Sequence, residues 1–556
     1  MILSLIQYNI TFILVFTTLY SYGLTTLKIL NYKKQSSIFS TILAGYIFIG
    51  VFAVIYHFFF KISNELSIII VLLGVILFIK NYNEKLKKEF LFFLFFLIIL
   101  SPLLFGYSDH PIDANMYHHP YISYLKSEKI IFGISNIQFR FGHISFLQYI
   151  QSIFINDFFH IISLSSINII FYLSFVLFVS RKIILKRRFD YLFLVNILIV
   201  SFLLIKFARY REYGNDLIPL LVSFYFLILI LEKIYNPTNY SNLLTPISLS
   251  FFAFMFVHKI SYIFAVFMFL VIINYEKFKF LKQIKIKYIL VFLLILIPWL
   301  LKNYITTSCF AYPVEISCFS NSVFSLSGIA EPSSAAWLSE IWAKAFIAHP
   351  NWQNIDLGEY VNAFNWVPTW MNSHFFKILE IISPLFLIIL LISLGLFINK
   401  KNISYYGFML NFKSKILYLF LLLFLGLIIW FYNAPVFRYG AFYIISIIII
   451  AFILLLNISF KIKNFKKLGF FKSIFFICIV FFVLKNGLRI YESDTLFFPK
   501  TITYKTEKSF EYFEIEGLKL SKSTNNVCYF TSVICSHEIP KNISIKKWNN
   551  YYVLNN

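Results

Sequence analysis

The chain has 556 residues, 60% of them hydrophobic and only 13% charged, with a mean hydropathy of +0.78. That balance excludes a soluble domain and points to a polytopic membrane protein. The formal net charge of +24 does not mark a nucleic-acid binder. Lys and Arg sit mostly in short segments between apolar runs, as the positive-inside rule requires.

Apolar runs of about 17–25 residues read as spanning helices. They fall at 2–22, 38–60, 64–80, 89–105, 163–180, 190–207, 215–232, 243–257, 260–275, 288–301, 376–398, 416–432, 439–460 and 468–485. The pair 243–275 is broken only by His258 and Lys259. The first segment lacks the basic start and small-residue cleavage site of a signal peptide. Loops 28–37, 80–88, 181–188, 276–287, 400–415 and 461–472 hold more than half of the 49 Lys and Arg. They fall on one side, which is therefore cytoplasmic, and both termini come out external. The expected fold is an all-α integral membrane protein of about fourteen spanning helices. Residues 1–88 form an N-terminal transmembrane extension and 89–485 a core with external loops 106–162 and 302–375. Residues 486–556 form a small external tail domain. Within the first loop, YISYLKSEKI and SFLQYIQSIF have the spacing of helices lying in the membrane interface.

The stretch SPLLFGYSDHPIDANMYHHP, residues 101–120, ends an apolar helix in two acids and three histidines. Asp109 and Asp113 then sit at the membrane–water boundary, where a charge is cheap to solvate. A carboxylate there can take the proton of an acceptor hydroxyl from a substrate held at the headgroup level. The plainer reading makes Asp113 the N-cap of the next helix. His118 and His119 follow closely, and a divalent cation shared with Asp113 is a further alternative.

Arg140 and His143 stand in NIQFRFGHIS of the same loop, and Arg140 suits bidentate contact with a phosphate or with an acid nearby. The segment KFARYREYGND, 206–216, packs Lys206, Arg209, Arg211, Glu212 and Asp216 between two spans on the external side. Lys259 in HKISY and Arg438 in NAPVFRYG are isolated cations on that side. Singly each is an interface residue with a snorkelling side chain; converging, they fit a lipid phosphate.

PWLLKNYITTSCFAYP, 298–313, brings Lys302 and Asn303 to the membrane boundary. Five of the eight tryptophans lie in loop 302–375, where they anchor the interface or stack on sugar rings. Cys309 with Cys318, and Cys528 with Cys535, can each close a short external disulfide loop or remain free thiols. Cys478 reads as helix packing. Neither a P-loop nor a dinucleotide fingerprint occurs, which disfavours nucleotide-driven chemistry.

Asp109 and Asp113 before ANMYHHPYI, with DANMYHHP, QFRFGHIS, REYGND and PWLLKNYITTSCFAYP, resemble elements of the GT-C superfamily, over about residues 89–440. These are polytopic glycosyltransferases that use polyprenyl-phosphate-linked sugars. In typical members the acidic loop follows the first helix, whereas three further helices precede it here. The resemblance implies a bacterial cytoplasmic-membrane enzyme whose active site faces the outside. It implies Asp113 as base with Asp109 as partner, and Arg209, Arg211, Lys259 and Arg438 toward the phosphate, beside His118, His119 and Arg140. The partners it implies are a polyprenyl-phosphate sugar, a glycan, lipid or protein acceptor and the bilayer, with no nucleic acid. Two rivals differ in their signals. An O-antigen-type polymerase or ligase would centre on Arg140 or on 206–216. A lipid-linked glycan flippase or transporter would place charges mid-helix in repeated halves.

Overall fold

Hydrocarbon cannot satisfy a backbone N–H, so each apolar run closes its hydrogen bonds within a helix. The computed structural model describes residues 2–31, 37–82, 84–104, 113–156, 159, 163–186, 189–206, 214–235, 244–276, 285–398, 404–407, 410–456, 458–461, 465–492, 510–524, 527–528, 530–537, 539–540 and 542–555. Ten helices among them are long and apolar enough to cross a membrane. They are Asn9–Ile29, Ile38–Phe59, Asn64–Asn81, Leu164–Leu185, Leu217–Tyr235, Ile286–Thr307, Val367–Ile398, Lys413–Asn433, Phe437–Leu456 and Leu468–Glu492. Shorter apolar helices cover Tyr191–Lys206, Leu249–His258 and Tyr262–Val271. Glu84–Leu104 is also helical. Described helical backbone thus lies in each stretch where a span was expected, except that the stretch expected at 439–460 ends its helix at Leu456 and is followed by the strand Ile458–Lys461.

Burial separates the lipid-facing helices from the central ones. On Ile286–Thr307 the exposed Leu290, Leu294, Ile297 and Leu301 recur every three or four residues, one stripe of the helix. Tyr191–Lys206 and Leu217–Tyr235 are buried around almost their whole circumference. The first three helices share this core. Gly23 and Gly45 let two of them touch backbone to backbone, since a Cβ on Gly45 would stand 1.8 Å from the Leu19 carbonyl oxygen.

The helix ends sort into two faces. On one, the Lys287 amine donates to the Leu30 carbonyl (2.6 Å) and Lys472 to that of Ile184 (2.7 Å). There too Ser404–Gly407 pairs antiparallel with Ile458–Lys461. On the other, Ile130 N–H donates to the His57 carbonyl and Gly133 N–H to that of Ile305. This is the alternation read from the basic loops.

Two features depart from expectation. The helices His119–Ser127 and Phe146–Phe154 do not lie at a lipid interface: nearly all of the first and all of the second is buried in protein. Their polar side chains explain why. Gln151 donates to the Leu164 carbonyl, and Gln148 reaches His118 and Asn215. The tail, moreover, is built of strands. Phe510–Ile515 and Leu518–Ser523 form a hairpin whose two turn residues, Glu516 and Gly517, both take positive φ. Ile534–Ser536 joins it in parallel, and Ser544–Trp548 pairs with Tyr551–Asn555. The tail lies on loop 113–156, with Phe132 N–H donating to the Tyr552 carbonyl and Leu554 N–H to that of Phe132.

Candidate functional site

Asp113 begins the helical turn Ala114–His118, which has the wide π geometry that often marks functional positions. It occupies the N-cap position, yet its side chain makes no capping hydrogen bond. Its carboxylate instead faces Arg438, with Oδ2 3.6 Å from Nη1, and both side chains are close to half exposed. The plain N-cap role is therefore unfilled.

Arg438 stands in the first turn of Phe437–Leu456, a helix end whose dipole favours anions over cations. Two carboxylates compensate: besides Asp113, Asp216 Oδ2 lies 3.8 Å from Arg438 Nε. The link before Arg438 is fixed by two indoles, Trp370 donating to the Pro435 carbonyl (2.6 Å) and Trp430 to that of Val436 (2.9 Å). Tyr262 hydroxyl donates to the Arg438 carbonyl at 2.7 Å.

Asp216 sits just before Leu217–Tyr235, where its carbonyl accepts from Leu220 N–H. There the dipole favours its charge. Its other oxygen pairs with the Lys259 amine. Lys259 reaches it because the chain is extended between Leu244–His258 and the following 3₁₀ segment, Ile260–Phe267. Burial would push the Asp216 carboxyl up, but Lys259 and Arg438 outweigh it and hold the group below its usual value. The Lys259 amine also lies 4.2 Å from the centroid of the Tyr439 ring.

Asp113, Asp216, Lys259 and Arg438, from four distant stretches, thus form one ion-pair network. Beneath it, Ser145 donates its N–H and hydroxyl to Gln148 Oε1 (3.1 and 3.0 Å), which orients the amide. Gln148 Nε2 then donates to His118 Nδ1 (2.9 Å) and to Asn215 Oδ1 (2.7 Å). His118 is consequently neutral with its proton on Nε2, and burial depresses its pKa to about 4.

His119 turns elsewhere, donating from Nδ1 to Asn115 Oδ1 (3.0 Å) beside the tail's Phe530. The Arg140 guanidinium covers Phe139 and lies 6.0 Å from the Tyr117 ring, next to His118. Burial, then Arg140, bring His143 to about 4. Among the described residues no group of three His, Cys, Asp or Glu is arranged to hold a metal. Asp109, Arg209 and Arg211 lie outside the described residues.

Lys302 is wholly buried rather than at the boundary. Its amine donates to Asn303 Oδ1 (3.2 Å) and lies 4.5 Å from the Trp299 ring. Cys309–Cys318 and Cys528–Cys535 are both disulfides, and both lie on the face that carries the network. Sequence reasoning passed over Gln148, Asn215 and Asn168, the last donating to the Gly214 carbonyl. The available signal was an amide inside an otherwise apolar helix, as in SINIIF.

No curated protein and no solved structure matches this chain. Residues 1–445, four-fifths of its length, match the family described as Domain of unknown function (DUF8201), and the chain belongs to that family.

Proposed function

We propose that this protein is a membrane glycosyltransferase of the GT-C type, with fourteen spans, in the bacterial cytoplasmic membrane. It moves a sugar from a polyprenyl-phosphate carrier to a glycan, lipid or protein acceptor on the external face. One observation supports this above the others: Arg438 stands between Asp113 and Asp216, with Lys259 on the latter, at helix ends on one face. Two carboxylates balance two cations in that network. Arg438 holds Asp113 at 3.6 Å, longer than a good hydrogen bond, so an incoming phosphate competes well for it. Arrival of the donor then releases Asp113 as a base. The acceptor's O–H proton passes to Asp113 as its oxygen bonds to the anomeric carbon, and the anomeric C–O bond to phosphate breaks. Arg438 and Lys259, with Arg209 and Arg211 near Asp216 in sequence, stabilise the departing phosphate. His118 and Arg140 shape the surround while His119 braces Asn115, and a divalent cation, where one takes part, would act on the phosphate.

The test is native mass spectrometry of lipids that co-purify in mild detergent, coupled to turnover by Asp113→Asn. A polyprenyl-phosphate monosaccharide whose turnover falls about 10²–10⁴-fold in the variant is expected. A bound polyprenyl-diphosphate oligosaccharide, with turnover indifferent to Asp113, would replace this reading with the polymerase or ligase. Absence of any polyprenyl lipid would favour a transporter.

A further inference from the structure

Residues 510–555 lie beyond the family match, yet they touch the segment that carries Asp113. Cys528 N–H donates to the Asn115 carbonyl (3.1 Å), two residues from Asp113. Thr531 N–H donates to Ser123 Oγ (3.2 Å), about two turns further along. Between them Phe530 enters a small apolar cluster with Ile122, Ile155 and Leu164, apart from the main core. The Cys528–Cys535 disulfide closes the loop that presents these groups. After it, the Ser536 hydroxyl donates to the Ile137 carbonyl (2.9 Å). The tail therefore grips loop 113–156 within the Asp113 turn and at several points after it. That turn is short and of π geometry, which gives it little stability of its own.

We propose that the tail is a positioning element for Asp113, with Phe530 as its wedge and the Cys528–Cys535 disulfide as its latch. Seated, it holds the turn 113–118 so that Asp113 faces Arg438. A dithiol that passes two electrons and two protons to the cystine leaves two thiols and becomes a cyclic disulfide, and the loop then releases the turn. The positional claim stands without the glycosyltransferase reading; only its effect on rate rests on that reading.

The experiment is hydrogen–deuterium exchange of the full-length protein in detergent, comparing wild type with Cys528→Ser/Cys535→Ser and with Phe530→Ala. Amides of 113–127 are expected to exchange at least tenfold faster in both variants, with Ile38–Phe59 and Phe437–Leu456 unchanged. Phe530→Leu should restore protection, and Cys309→Ser/Cys318→Ser should leave 113–127 as in wild type. Unchanged exchange in 113–127 would overturn the proposal. So would faster exchange throughout the membrane helices, which would make the tail a general stabiliser. In the rate assay the latch variant should lose kcat about tenfold with KM unchanged. Local opening with normal kcat would keep the positioning role and remove Asp113 from the chemistry.

Discussion

The two faces of the helical bundle use the same charged residue types for different ends. On the face that carries the basic loops, lysines finish helices: Lys287 and Lys472 donate to carbonyls at or just past helix C-termini, where orphan acceptors and the dipole favour a cation. Acids there pair within one end of the bundle, Lys186 with Asp190 four residues on at 2.6 Å and Lys182 with Glu232 of a neighbouring helix, one cation to one acid. On the opposite face Arg438 sits at a helix N-terminus, where the dipole repels it, and is compensated by acids from distant segments. Charge that merely solvates a membrane boundary settles where local electrostatics are favourable. Charge assembled across four segments, with Arg438 set against its own helix dipole, supports the proposed binding site.

Four substitutions break or sharpen this contrast. Arg438→Gln should have the largest effect, lowering sugar transfer about 10²–10³-fold; a rate within threefold of wild type would place the phosphate elsewhere. Asp216→Asn leaves Lys259 and Arg438 with less compensation and should cost about 3 kcal/mol in thermal or denaturant unfolding. Because the folded carboxyl lies below its ordinary 3.8, that difference is full at neutral pH and closes as pH falls below 3.8. An undiminished difference in strong acid would show that Asp216 acts by shape. His118 stays neutral in the fold down to about 4, whereas the unfolded chain protonates it near 6.5. Its contribution is complete above 6.5 and is lost as pH falls toward 4. His118→Asn should therefore flatten stability against pH in that window by up to about 1.4 kcal/mol per pH unit; an unaltered slope would mean the native imidazole is already charged. Lys472→Gln, on the other face, should change stability by no more than about 0.5 kcal/mol. A loss above 2 kcal/mol there would erase the distinction between the faces.

The helices were legible in the chain because lipid imposes one rule, a long apolar run, and the sequence obeys it throughout. Much of the network was legible too. Asp113, Lys259 and Arg438 are charges stranded at the ends of apolar runs on the side with no need of them. Their joining through Asp216 was not, since nothing in the spacing of 113, 216, 259 and 438 encodes which acid meets which base. The layer beneath was missed for a different reason. Gln148 lies in SFLQYIQSIF, whose periodicity also fits a helix on a membrane surface; only His118, Asn215 and the second and third helices, brought against it by the fold, turn its polar side inward. Lys302 shows the same ambiguity, because a lysine at a helix end reads as a boundary residue until Tyr121 and Trp299 close around it. The tail's strands follow from β-rich stretches such as FEYFEI, but their docking on 113–156 depends on contacts some 400 residues apart in the chain.

That docking has a consequence for how the protein is made. Residues 113–156 leave the ribosome long before 510–555. Through most of synthesis the Asn115 carbonyl and the pocket of Ile122, Ile155 and Leu164 await the strand and the ring that complete them. On the proposed positioning role, a chain truncated before the tail, or one whose tail cysteines stay reduced, would lack the contacts that set Asp113 even with its membrane helices formed. On that same role, the setting of Asp113 would be a late event in the protein's biosynthesis, following synthesis and oxidation of the tail.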